Sequence, residues 1–133
     1  MGEVMIELIL PWPPTVNSYY VKNRAAVYIS PKGKNFREDV AEAIIQQAPD
    51  AHIPEDDRVM MEVVLFPPDK RRRDLDNHMK ALLDAITQTG LWIDDSQIDQ
   101  LQIYRGEIVD KGMCHVRLYE AGPIIPKGSR IPD

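Results

Sequence analysis

The chain has one cysteine, Cys114, among its 133 residues, so no disulfide can form within it. A reducing, cytoplasmic compartment is the expectation. Long hydrophobic runs are also missing: charges interrupt every apolar segment well short of the roughly 18–20 residues that span a bilayer, and nothing resembles a signal peptide. No membrane partner is therefore expected. Histidine is scarce, and His52, His78 and His115 show no ligand spacing, which argues against a zinc centre. Overall positive charge is lacking too. With 16 Lys and Arg against 21 Asp and Glu, the net charge is −5, which argues against a generic nucleic-acid coat and against a membrane-surface protein. Internal repeats and low-complexity tracts are absent.

At 44% hydrophobic content, 133 residues suffice for one domain with one core. Val4 to Leu10 alternates as a first strand and ends in Pro11-Trp12-Pro13-Pro14, which cannot continue a ladder. Ala26 to Ile29 is a second short strand. Ser30-Pro31 reads as N-cap and first helical position, Phe36, Val40, Ala43 and Ile44 recur at helical spacing, and Pro49 marks the stop. Val59 to Phe66 is apolar on both alternating faces except at Glu62, the pattern of a central strand covered on two sides. Asp76 or Asn77 can cap a second helix with Met79, Leu82, Leu83 and Ile86 facing the core and Gly90 as its stop. Leu101 to Ile108 and Met113 to Tyr119 are two closing strands around an Asp-Lys-Gly turn. The order ββαβαββ predicts an α+β (mixed α/β) domain over residues 1–121 with a mixed sheet and two principal helices. Residues 122–133, rich in proline and glycine, form a tail with little to pack.

Against the negative background, Lys70, Arg71, Arg72 and Arg73 stand in a row and abut Asp74 and Asp76. A local cationic patch can attract a polyanion on a net-negative protein, because salt screens the remaining charge beyond roughly 8–10 Å. In isolation such a run is as readily a solvated surface turn. The two carboxylates supply hard oxygens of the kind Mg²⁺ prefers. On an extended segment both point one way, so the helix should begin at or after Asp76. A helix to Thr89 carries the chain roughly 20 Å away, and the residues from Gly90 to Asp95 can return about as far, so Asp94 or Asp95 can reach Asp74 and Asp76 in the same chain or in a second copy.

Lys80 follows Asp76 by four residues on one helical face, and is either an exposed helix pair or a cation that holds a scissile phosphate. Asp84, one turn on, is expected to be a surface partner of Lys80. Three acids and a lysine meet the needs of metal-assisted phosphodiester hydrolysis; the plainer alternative is that the acids cap a helix and form a turn. An EF-hand is excluded by His78 and Met79, where a ligand and the required glycine belong. An aspartyl-phosphate site fits poorly, because prolines and cations separate Asp74 from the preceding strand. Trp12, Tyr19, Tyr20 and Trp92 can stack on exposed bases, although packing is the commoner use of such side chains; Trp92 is expected in the core.

Arg72-Arg73-Asp74-Leu75-Asp76-Asn77, Lys80-Ala81, Leu83-Asp84-Ala85, Gly90, Trp92 and Ile93-Asp94-Asp95-Ser96-Gln97-Ile98 together resemble the RusA family of Holliday junction resolvases, as do Leu10 to Pro14, Asn17 and Tyr19-Tyr20. The resemblance covers about residues 5–120. It implies a homodimeric, Mg²⁺-dependent endonuclease that nicks four-way junction DNA in symmetrical pairs. It places the catalytic, metal-binding acids on Asp74, Asp76 and Asp95, a further acid on Asp94, the active-site lysine on Lys80, and backbone contacts on Lys70 to Arg73. A two-fold dimer also suits a two-fold substrate, since each chain supplies one acid cluster. The net charge of −5 then requires Lys22, Arg24, Lys32 and Lys34 to share a face with Lys70 to Arg73. A non-catalytic nucleic-acid-binding module and a nuclease of broader branched-DNA preference are the competing readings.

Overall fold

The chain is described here by a computed structural model over residues 2–122. The expected tail therefore lies outside the described residues, apart from Gly122. A four-stranded sheet in the order β1-β6-β4-β5 forms the frame. Its strands are β1 Val4–Leu10, β4 Val59–Phe66, β5 Ile98–Arg105 and β6 Met113–Glu120. β6 runs antiparallel to both β1 and β4, whereas β4 and β5 are parallel. The sheet is mixed, as expected.

Local chemistry explains most element bounds. Helix α2, Pro31–Gln47, starts where Ser30 accepts from the Gly33 amide at 2.9 Å and Pro31 occupies the first turn. Gly33 lies inside this helix because a Cβ there would come within 2.5 Å of the Tyr19 carbonyl oxygen. Helix α3, Met79–Thr89, ends at Gly90 with φ 81°, a left-handed stop that glycine adopts without strain. Between Pro14 and α2 lie two elements absent from the sequence reading: a one-turn helix α1, Val16–Tyr19, and a strand β2, Tyr20–Lys22, paired with β3, Val27–Ile29.

Three further expectations are corrected. β4 is central, but its burial alternates, with Val59, Met61, Val63 and Leu65 in the core and Glu62, Val64 and Phe66 only half-buried. One face alone is fully covered. The last two strands do not form a hairpin: β5 begins three residues earlier than expected and lies on the opposite side of β4 from β6. A 3₁₀ turn, Leu75–His78, precedes α3, so Asp74 has extended backbone while Asp76 is already within the turn.

The core lies between the sheet and α2 and α3, where Trp92, Tyr19, Leu8, Leu82 and Ile86 are fully buried. The Trp92 indole donates to Thr87 Oγ1 at 2.6 Å, as a buried indole N–H requires. The opposite sheet face carries a charge row across three strands. Glu7, Arg117 and Glu62 are register partners, and Arg117 reaches the two carboxylates at 2.8 and 3.4 Å.

Candidate active site

Asp74 caps the 3₁₀ turn through its backbone, accepting from the Asn77 amide at 3.2 Å, and makes no side-chain capping bond. Asp76 lies in the first turn of that 3₁₀ element. Both side chains are exposed, and neither takes part in an ion pair among the described residues. Their oxygens are available to a ligand.

The second acidic pair is held by another device. Asp95 opens a second 3₁₀ turn, Asp95–Gln97, after the chain has returned from Gly90. Gln97 is 2% exposed, and its side chain is saturated: Oε1 accepts from the Ile93 and Asp94 amides at 2.9 and 3.2 Å, and Nε2 donates to the Pro54 and Asp57 carbonyls at 2.8 and 3.1 Å. One amide thus ties the acidic turn to the loop before β4. Ser96 Oγ donates to Asp94 at 2.9 Å and holds that carboxyl below the usual range. Asp95 shifts the other way, raised by partial burial and then by the charges of Asp94 and Asp84, with Lys80 opposing. Asp95 therefore lies within Coulomb range of Lys80 and Asp84 on α3.

Asp84 is the largest local departure from expectation. It does not pair with Lys80. It accepts from Arg37 Nη2 at 2.7 Å and from the Tyr19 hydroxyl, and Arg37 Nε donates to that hydroxyl at 2.7 Å. Burial, then the Asp84 carboxylate, raises the Tyr19 phenol further above its ordinary range, so it remains a donor. This knot ties α1, α2 and α3 together. Lys80 stays exposed, its ammonium 5.9 Å from the centre of the Tyr20 ring. No sequence spacing signals the knot, because its residues come from three separate elements.

The cationic run divides as well. Arg73 has only 16% of its side chain exposed, pairs with Asp69 at 2.8 Å and lies 5.6 Å over the Trp12 ring. It braces the loop. Arg71 is 83% exposed, and Lys70 and Arg72 are also exposed. Lys32, from the first turn of α2, lines one cleft with Arg71, Arg72 and Arg73, whereas Lys22 lines a separate hollow beside Tyr20. The expected basic face is thus joined by Lys32 but not, in that cleft, by Lys22, Arg24 or Lys34.

The fold and site define a small mixed-sheet protein that presents free carboxylates at the end of a helix, beside a basic loop. The model of the endodeoxyribonuclease RusA family matches residues 11–119. This chain belongs to the RusA endodeoxyribonuclease family and is a nuclease. It is 38% identical over 114 residues to the crossover junction endodeoxyribonuclease of Enterobacteria phage HK97, covering 86% of this chain and 93% of the relative. Over 115 residues it is 36% identical to that of Enterobacteria phage 82 and 35% identical to that of Escherichia coli K12, each covering 86% of this chain and 94% of the relative.

Membership of an endonuclease family implies a divalent metal. The donor chemistry agrees, since the exposed acids offer hard oxygens. The geometry does not close into a cage: among the described residues, no three His, Cys, Asp or Glu side chains gather closely enough to hold an ion. Asp94, Asp95, Asp84 and Lys80 share one electrostatic neighbourhood, and Asp74 and Asp76 share another at the mouth of the 3₁₀ turn. No helix is long and apolar enough to cross a membrane among the described residues.

Proposed function

We propose that this chain is a Mg²⁺-dependent, structure-selective endonuclease that resolves four-way DNA junctions as a homodimer. The observation that carries the reading is the adjacency of unpaired Asp74 and Asp76 to exposed Lys70, Arg71 and Arg72, within a chain that matches the RusA family over residues 11–119. The relatives named crossover junction endodeoxyribonuclease support the branched substrate.

In this reading the loop cations hold the phosphate backbone by charge and fix the strand in register. Arg73 serves through the loop, because its guanidinium is engaged by Asp69 and Trp12. Asp74 and Asp76 would offer oxygens to the divalent ion, and Asp95, with Asp94 in support, would complete its ligand set by closing on them from the same chain or from the second copy of the dimer. When bound, the ion would lower the pKa of a water and neutralise charge on the phosphate. Lys80, exposed and close to Asp95, supplies a cation that steadies charge developing on a phosphate oxygen. Gln97 positions the acidic turn, and Asp84, held by Arg37 and Tyr19, fixes the helix face that bears Lys80. Two identical sites on a two-fold dimer match paired symmetrical cuts.

The rival reading, a non-catalytic nucleic-acid-binding module, draws on the same lack of a three-acid group among the described residues. Asp76→Asn separates the two. On a synthetic mobile junction titrated with Mg²⁺, the variant is expected to keep junction binding and lose cleavage, while wild-type nicks are paired and religatable. Undiminished Mg²⁺-dependent cutting by the variant removes Asp76 from the mechanism, and absence of cutting by the wild type favours the binding module. Flap and duplex substrates run alongside test for a broader branched-DNA nuclease.

A further inference from the structure

A cleft of about 440 Å³ opens between the proline-rich loop, the first turns of α2 and the arginine loop. Its volume suits one small ligand. Its lining combines two chemistries that a site for DNA backbone alone does not need together. Pro11, Trp12, Pro14 and Phe36 give an apolar wall, while Lys32, Arg71 and Arg72 bring exposed cations to the rim. A groove that reads only phosphates requires the cations and no apolar floor. A site for an apolar ligand would not collect three positive charges.

The floor carries an unmet demand. His78 is 2% exposed and lines the cleft; its Nδ1 meets the Pro13 carbonyl at 2.8 Å, so Nδ1 carries the proton and Nε2 is left as an acceptor. That Nε2 is buried and has no hydrogen-bond partner among the described residues. Buried acceptors of this kind are rare and call for a donor. On the α2 side, Asn35 and Asp39 add further exposed hydrogen-bonding groups.

From these observations, and resting on the junction-binding reading above, we propose that the cleft seats one unstacked deoxynucleotide of the junction. Its base lies against the apolar wall with its polar edge toward Asn35, Asp39 and His78, and its phosphate meets Lys32, Arg71 and Arg72. The unstacking cost is least at a crossover, where the stack is already interrupted. The arginine loop leads directly into Asp74, so a nucleotide anchored here fixes which phosphate reaches the acids. The cleft is a positioning subsite rather than part of the reacting centre.

The test is a cycle between DNA and protein, read as junction binding in EDTA so that cutting plays no part. Synthetic four-way junctions carrying a single abasic site at each position flanking the crossover are titrated with the full chain. At one position, loss of the base is expected to weaken binding roughly tenfold, the scale of one seated base. That penalty is expected to vanish in the Asn35→Ala/Asp39→Ala variant, whose changes lie on the exposed side of α2, and to shrink in Trp12→Ala. Tight binding of the intact junction with no penalty at any position overturns the subsite and leaves the nuclease reading standing. A penalty that persists unchanged in Asn35→Ala/Asp39→Ala overturns it equally. Failure of the intact junction to bind overturns the reading beneath it instead.

Discussion

Asp94 and Asp95 sit on a turn whose amides and neighbouring carbonyls are bound by the buried side chain of Gln97, whereas Asp74 and Asp76 sit on a turn secured by its own backbone and by the Asp69–Arg73 brace. The first is preorganised: its acids come with a fixed backbone and with pKa values already displaced in opposite directions. The second is open, with exposed carboxylates and exposed cations that a polyanion can engage. A site that must hold charge in a defined place and also accept a large, branched ligand gains from one rigid wall and one adaptable wall.

The contrast can be tested in order of expected effect. Asp95→Asn strikes the rigid side and is expected to abolish junction cleavage. It should also raise the thermal midpoint at pH 7 in EDTA. The Asp95 carboxyl has its folded pKa raised above 3.8, so its ionised form opposes folding at neutral pH. That cost fades as pH falls through the folded pKa and is gone below about 3.8, where both states are protonated. Variant and wild type should therefore converge in acid, and a lower midpoint at pH 7 would contradict the assigned environment.

Gln97→Ala removes the lock. Two amides and two carbonyls lose their partner, and roughly 2–4 kcal/mol of unfolding free energy should disappear in a urea titration. Cleavage should fall with it even at temperatures where the protein is folded, because the acids lose their fixed backbone. Asp84→Asn keeps the shape of the three-helix knot and removes its charge. A loss of about 1–2 kcal/mol is expected, for a pair whose side chains remain 28% and 26% exposed. Asp69→Ala touches the adaptable side and should have the smallest effect on the thermal midpoint. Its main signature should be tighter junction binding at low salt and a steeper salt dependence, since Arg71 and Arg73 lose their internal counter-charge.

How much of this was legible depends on the range of the interaction. Ser30-Pro31 announced the start of α2 and Gly90 the end of α3 because capping is settled within a few residues, whereas neither Asp76 nor Asn77 caps α3: both lie inside the 3₁₀ turn, and the N-cap is His78, which makes no side-chain bond there. β4 matched its expected bounds for a similar reason, in that its apolar run is bracketed by polar residues and prolines. β2 and the one-turn α1 were missed because each is only a few residues long and is stabilised by a neighbour rather than by its own pattern. β5 was displaced because its early residues, Asp99 and Gln100, are polar and the strand is fixed by parallel pairing with β4. Of the candidate site, Asp74, Asp76, Asp94, Asp95 and Lys80 stood out as residue types. The roles of Gln97, Arg37 and Tyr19 depended on contacts 18 to 65 residues apart in sequence.

The sequence alone determined that this is one mixed domain with a basic run set against acids, because composition, capping and hydrophobic period act locally and leave their mark in the order of residues. Only the tertiary structure decided that Asp84 answers to Arg37 and Tyr19, that Arg73 folds inward over Trp12 while Arg71 and Arg72 stay exposed, and that Asp95 comes within Coulomb range of Lys80 and Asp84 on α3. Those outcomes depend on which charges burial brings together, and through-space electrostatics carries no sequence period from which it could be read.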